Sequence, residues 1–408
     1  MSATAPHERT STARLVGLDL FRAVAVFGML VAHVGPAAWT PGEGFGTVHV
    51  EWEFFHSRMP AMFAFAAGLS LNLGRRSTAD TVQPAIIPTL IRAALIAVCG
   101  VALTLLGTPV VVILVSFAVW FVLVLPFRRL GVRALLVVAG VWTVAGPVLS
   151  FLARRAIDLP DNLVWKALVA GDYPALTWMP FVLAGLAVGR MDLSSRRMRV
   201  NLATAGGVLL GVGYGLSALL LTRGVAARIM EGLAPVEGKD AMQQFARLFF
   251  KERGVTDTGS WLWLLVPAPH SGSWADVIGC LGVCALLLAV LLPLGDTARW
   301  ADGSEGRAKK AVGVAVASIA ALGAMVLSVY AAHIVAMAAI TAATGHSFRG
   351  AQSVFTLAAF TVGLVLFAWL WLRRFRRGPL EWFLGWGSAF IERTGRRVSA
   401  GWSRRSRP

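Results

Sequence analysis

The chain has 408 residues, 57% hydrophobic and 14% charged, with a formal net charge of +17 and a mean hydropathy of +0.68. A soluble chain of this length would form two or three domains, but this balance describes a protein whose solvent is lipid, folded as one all-α polytopic membrane domain. The basic residues sit in short segments between apolar runs rather than on one soluble face, so membrane lipid is an expected partner and nucleic acid is not.

A spanning helix needs roughly 20 mostly apolar residues. Such runs predict about ten spans, at residues 15–36, 54–74, 84–106, 109–127, 134–153, 173–190, 201–222, 274–294, 313–341 and 352–372. Residues 1–14 form an N-terminal segment, residues 15–373 the membrane domain, and residues 374–408 a basic tail. With the N-terminus in the cytoplasm, Arg75, Arg76, Arg128, Arg129, Arg133, Arg190, Arg196, Arg197, Arg199, Lys309, Lys310 and the tail all fall inside. This positive-inside asymmetry predicts both termini cytoplasmic, in a multi-pass cell-membrane protein of bacterial inner-membrane type. Cys99, Cys280 and Cys284 lie within predicted spans and form neither a disulfide framework nor a metal motif, so no metal is expected.

The first helix, "RLVGLDLFRAVAVFGMLVAHVGP", carries Asp19, Arg22 and His33 where charge is costly. At about 100° and 1.5 Å per residue, Arg22 and His33 share one face, roughly 16 Å apart along the axis, and Asp19 lies within about 60° of Arg22, in pairing range. One polar stripe therefore runs most of the way across the membrane. The plain structural reading of the same residues is a buried ion pair that fixes helix register. His49 lies in the loop that follows.

The second helix, "EWEFFHSRMPAMFAFAAGLSLNLG", places His56 and Arg58 just inside its outer end, where Arg58 calls for a carboxylate or an anionic ligand. Its Ala64, Ala67, Gly68 and Ser70 form a small-residue face that permits close helix packing. In the outer loop at about 223–273, "DAMQQFARLFFKER" has apolar residues at helical spacing and predicts an amphipathic helix on the outer surface. "WLWLLVPAPHSGSWADVIGCLGV" then puts His270, Ser271 and Ser273 at a helix entrance with Asp276 one turn in, Ser273 being a suitable N-cap. In "MVLSVYAAHIVAM", Tyr330 and His333 are three apart on one face. The tail, "RRFRRGPLEWFLGWGSAFIERTGRRVSAGWSRR", is a basic and aromatic stretch suited to anionic lipid.

With these segments in view, the chain resembles the transmembrane acyltransferase superfamily, specifically the heparan-α-glucosaminide N-acetyltransferase catalytic-domain-like proteins of bacteria. The resemblance runs nearly end to end. It rests on "GLDLFRAVAVFGMLVAH", "FAFAAGLSL", "YPALTWMPFVLAGLAVGRMDL", "PHSGSWADVIGCLGV", "LSVYAAHI" and "RRGPLEWFLGW", and on Arg22 followed eleven residues later by His33. In the heparan enzyme the position matching His33 looks like asparagine, and the catalytic histidine falls in the following loop, where His49 is the approximate match.

The resemblance implies acyl transfer from cytoplasmic acetyl-CoA or another acyl-CoA to an amino or hydroxyl group of an extracytoplasmic glycan. The catalytic candidates are His33 and His49, with Asp19 and Arg22. Arg22 and Arg58 are the candidates for binding acyl-CoA, since arginine binds phosphate bidentately. His56, His270, Ser271 and His333 are the candidates for binding the acceptor. A homodimer is one compatible assembly. Two rival readings of the same stripe are a substrate or proton pathway in a transporter and an idle membrane scaffold.

Overall fold

The computed structural model describes residues 15–71, 86–156, 162–251, 254–303 and 306–387. The apolar runs form helices in chain order: α1 (Val16–Val34), a short α2 (Val50–Glu53), α3 (Arg58–Ser70), α4 (Ile86–Thr104), α5 (Leu114–Leu123) and α6 (Val132–Ala156). These are followed by α7 (Leu163–Ala170), α8 (Ala175–Val188) and α9 (Arg196–Glu231). The rest are α10 (Ala241–Lys251), α11 (Trp274–Asp302), α12 (Arg307–Ala324), α13 (Val326–Thr344) and α14 (Val354–Arg374), then a helical stretch at 379–387. The sheet among the described residues is one antiparallel pair, Trp39–Thr40 with Thr47–Val48.

Seven of these helices are long and apolar enough to cross a membrane (α1, α4, α6, α9, α11, α13 and α14), and an eighth span arises if α7 and α8, bent by 62° at their junction, count as one. This makes a multi-pass membrane protein, with seven or eight candidate spans among the described residues where the apolar runs suggest about ten. The run at 54–74 yields α3, whose 13 residues extend only about 20 Å against a core of about 30 Å. The run at 109–127 yields the ten-residue α5. The run at 313–341 divides at Met325, which is non-helical (φ −113°, ψ 32°). The run at 201–222 instead continues to Glu231, through a kink at Gly224 (φ 106°, ψ 2°) where the apolar run ends.

Packing follows side-chain size. α3 lies against α8, α1 against α12, and α11 against α9 and α1. The small-residue face of α3 is used as expected: a Cβ on Gly68 would collide with the Val182 carbonyl, and one on Gly185 would collide with the Phe65 carbonyl. The two helices meet backbone to backbone, a contact that dispersion rewards where lipid supplies no hydrophobic drive. α10 forms as the amphipathic spacing requires, but it turns Phe245 onto Ile229, Trp263, Val266 and Ala268 of the protein itself.

Candidate functional site

Two cavities flank the middle of α1. The first, of about 350 Å³, is lined by Arg22 of α1, Ser70 of α3, Arg92 of α4, Leu327 and Tyr330 of α13, and Arg377 and Glu381 near the end of the described chain. The second, of about 680 Å³, is lined by His33 of α1, by Glu53, His56 and Met59, and by Trp39, Tyr173, Phe250, His270, Arg349 and Gln352. Phe63, Ile113 and Tyr330 belong to both walls. We refer to them as the arginine and histidine cavities.

In the arginine cavity, Arg22 donates from Nη1 to Asp19 Oδ1 at 3.3 Å and from Nη2 to Ser70 Oγ at 2.5 Å. Asp19 thus fixes Arg22 as the helical spacing predicted, and Ser70 adds a second hold from α3. The Arg92 guanidinium lies 5.7 Å from the centre of the Phe121 ring. Three guanidiniums therefore face one carboxylate, Glu381, which already accepts from Leu327 N at 2.7 Å, from Ser328 N at 3.1 Å and from Ser328 Oγ. By capping the first turn of α13, Glu381 spends its charge on orphan helix amides and leaves the cavity cationic.

The histidine cavity is ordered by a pair of rings from opposite ends of the chain. His33 Nδ1 lies 3.1 Å from His333 Nε2, with the rings stacked at 5.3 Å and 12°. His333 is fully buried, whereas His33 is half-buried and lines the cavity. Tyr330, one turn before His333, meets it edge to face at 5.2 Å. A single proton serves the His33–His333 bond, so each ring sets the tautomer of the other.

A third group lies behind the cavity wall. Ser57 N donates to His270 Nε2 at 3.1 Å and Ser57 Oγ to Asp276 Oδ1 at 2.6 Å. Asp276 also accepts from Gly272 N at 3.3 Å and from Cys280 Sγ at 3.5 Å, and Tyr214 Oη lies 3.2 Å from that sulfur. Ser273 caps α11 by accepting from Asp276 N at 3.0 Å, as its residue type predicted. Ser57 (φ 63°) and His270 (φ 58°) are the two non-glycine residues with positive φ among the described residues. Their mutual hydrogen bond holds both in that costly conformation. Because Nε2 of His270 accepts, the neutral ring carries its proton on Nδ1.

The remaining sequence candidates lie apart from the two cavities. His49 starts α2, with Nδ1 3.8 Å from Glu51 Oε1, and lines neither cavity. Arg58 has the carboxylate partner its depth called for, Glu53 at 3.2 Å, and stacks on Tyr214 at 4.8 Å. Its guanidinium is thus committed at the opposite end of α3 from Arg22. Ser271 is buried, its hydroxyl accepting from Ser273 N at 3.3 Å, and does not reach the histidine cavity.

Sequence reading passed over Arg92, and it met Tyr173, Phe250, Arg377 and Glu381 within motifs without placing them at a site. Arg92 had a signal, a charge in the middle of "IIPTLIRAALIAV". Among the described residues no group of three or more His, Cys, Asp or Glu side chains is placed to hold a metal ion.

Residues 14–216 match the family model described as heparan-alpha-glucosaminide N-acetyltransferase, catalytic. Residues 303–389 match a second, described as a protein of unknown function (DUF418). No curated protein matches the chain. The first segment supplies Arg22, Ser70, Arg92 and His33, and the second supplies His333, Tyr330, Arg377 and Glu381, so each cavity is built from both.

Proposed function

We propose, for a chain that belongs to the heparan-α-glucosaminide N-acetyltransferase catalytic-domain-like family of membrane acyltransferases, that it passes an acyl group from acyl-CoA in the arginine cavity to an acceptor in the histidine cavity. The observation that carries this reading is the pair of cavities of unlike chemistry, one cationic and one rich in imidazole, that share the wall formed by Phe63, Ile113 and Tyr330.

Acetyl-CoA is the donor used in this family, and the arginine cavity suits its chemistry. At about 350 Å³ it is smaller than the whole molecule, so it takes the acyl end and the slender arm, with phosphates at a mouth where Arg22, Arg92 or Arg377 can bind them bidentately. The positive-inside asymmetry supports a cytoplasmic mouth for this cavity. The histidine cavity then opens outward and takes an amino or hydroxyl group of a cell-envelope glycan, for which Trp39 and Phe250, stacked at 5.3 Å, offer flat apolar walls.

In this reading His33 is the general base. With Nδ1–H donated to His333, its Nε2 lone pair removes the proton from the attacking amine or hydroxyl. His333 is a positioning residue: it fixes the tautomer and receives the hydrogen bond that strengthens when His33 becomes imidazolium, the part a carboxylate plays in a serine hydrolase. His56 and His270 contact the acceptor from the opposite wall.

The test is free-thiol release from acetyl-CoA by the detergent-purified protein, with a panel of amino sugars and hydroxylated glycans. Acceptor-dependent release is expected, reduced about 100-fold or more in His33→Ala and requiring higher acetyl-CoA in Arg22→Ala. Absence of both release and acyl-CoA binding would overturn the reading and return the polar stripe to a transport pathway.

A further inference from the structure

The wall between the cavities is where a thioester on one side and a nucleophile on the other must meet, and of its three residues Phe63 and Ile113 are apolar while Tyr330 carries a hydroxyl. Tyr330 Oη accepts from Ile113 N at 3.3 Å. That bond occupies an oxygen lone pair and leaves the O–H proton to be given elsewhere. The Tyr330 ring is 5% exposed and clamped between the Ile113 backbone and the His333 ring, so its hydroxyl is preorganised rather than free to follow a ligand. A fixed donor in a water-poor wall is what a developing oxyanion needs.

We infer that Tyr330 is a catalytic residue, donating its phenolic hydrogen bond to the thioester carbonyl oxygen as acyl transfer proceeds; this rests on the acyl-transfer reading above. The acceptor nitrogen or oxygen forms a bond to the carbonyl carbon while the C=O π pair moves onto oxygen, where the Tyr330 hydroxyl meets it without ionising. His33 takes the acceptor's proton. The carbonyl then re-forms, the C–S bond breaks with its electron pair on sulfur, and His33 returns the proton to give the free thiol. No further reactant is consumed. Tyr330, His333 and His33 form a continuous row of rings, so the oxyanion donor and the base are braced by the same buried imidazole.

The test is Tyr330→Phe, which keeps the ring and the cavity wall and deletes one oxygen. We expect kcat to fall about 100-fold, the scale of losing one oxyanion donor, with KM for acetyl-CoA and acceptor nearly unchanged. Independently of turnover, the carbonyl stretch of bound 13C-labelled acetyl-CoA should lie below its value in water for the wild type and rise in Tyr330→Phe. Wild-type turnover in Tyr330→Phe, or an unshifted carbonyl in the wild type, would overturn the inference and leave acyl transfer standing. A wild type that neither binds acetyl-CoA nor releases thiol would overturn both.

Discussion

His33 and His333 are 300 positions apart and end 3.1 Å apart, and what each does depends on the other. If His333 acts through His33, replacing it with leucine removes the acceptor for Nδ1–H while keeping an apolar buried volume; kcat then falls about 10- to 100-fold with little change in either KM. His333→Gln, whose side-chain oxygen can accept in place of Nε2, restores part of the rate. The check is steady-state thiol release by the three proteins, and equal losses in His333→Leu and His333→Gln would reduce His333 to packing. At this scale the sequence was partly informative. Asp19, Arg22 and His33 could be placed on one helix face from periodicity alone, and Asp19 does meet Arg22. The depth of Arg58 called for a carboxylate and Glu53 supplies it. The His33–His333 bond was not legible, because periodicity fixes the face of one helix and says nothing of which face of another it will oppose.

Helices, by contrast, were read well where a run was long and poorly where packing decided. α1, α4, α6, α11 and α14 lie where hydropathy puts them. The break at Met325 sits inside a continuous apolar run, and its cause is tertiary: Gly323 packs against the Asp19 carbonyl and the α1 backbone, and Glu381 caps the new helix from more than 50 residues away. The "GPLEW" stretch, expected to rest on lipid, instead places Arg377, Glu381 and Leu384 in the arginine cavity, while the tail beyond residue 387 lies outside the described residues. The α3–α8 contact gives the element-scale test. Gly185→Val adds a side chain where Phe65 backbone already sits, and overpacking of this kind costs about 1–3 kcal/mol. Gly207→Val on the exposed face of α9, with nothing within 4 Å of its Cβ position, is the control. Thermal unfolding in detergent should show a lowered midpoint for the first and a nearly unchanged one for the second; matching midpoints would mean that α3 and α8 do not meet at Gly185.

For the whole molecule, the proposed acyl transfer depends on which face of the membrane each cavity opens to. Arg22 and His33 lie roughly 16 Å apart along α1 by helical rise, so a donor and an acceptor entering from the same side would have no use for that separation, whereas reactants entering from opposite faces need it. α9 offers a ruler for the assignment, since its part before the kink at Gly224 rises about 42 Å at about 1.5 Å per residue, enough to carry Ser194 and Glu237, beyond its two ends, to opposite faces of the membrane. Cys280 and Cys284 are buried and Cys99 is half-buried within a span, so a new exposed cysteine stands out against them. With the arginine cavity facing the cytoplasm, Glu237→Cys reacts with a membrane-impermeant maleimide in intact cells, and Ser194→Cys reacts only after permeabilisation. The reverse pattern would keep both cavities and the His33–His333 pair but place the imidazoles inside and the arginine cavity outside, which would overturn both the positive-inside orientation and the route from a cytoplasmic acyl-CoA.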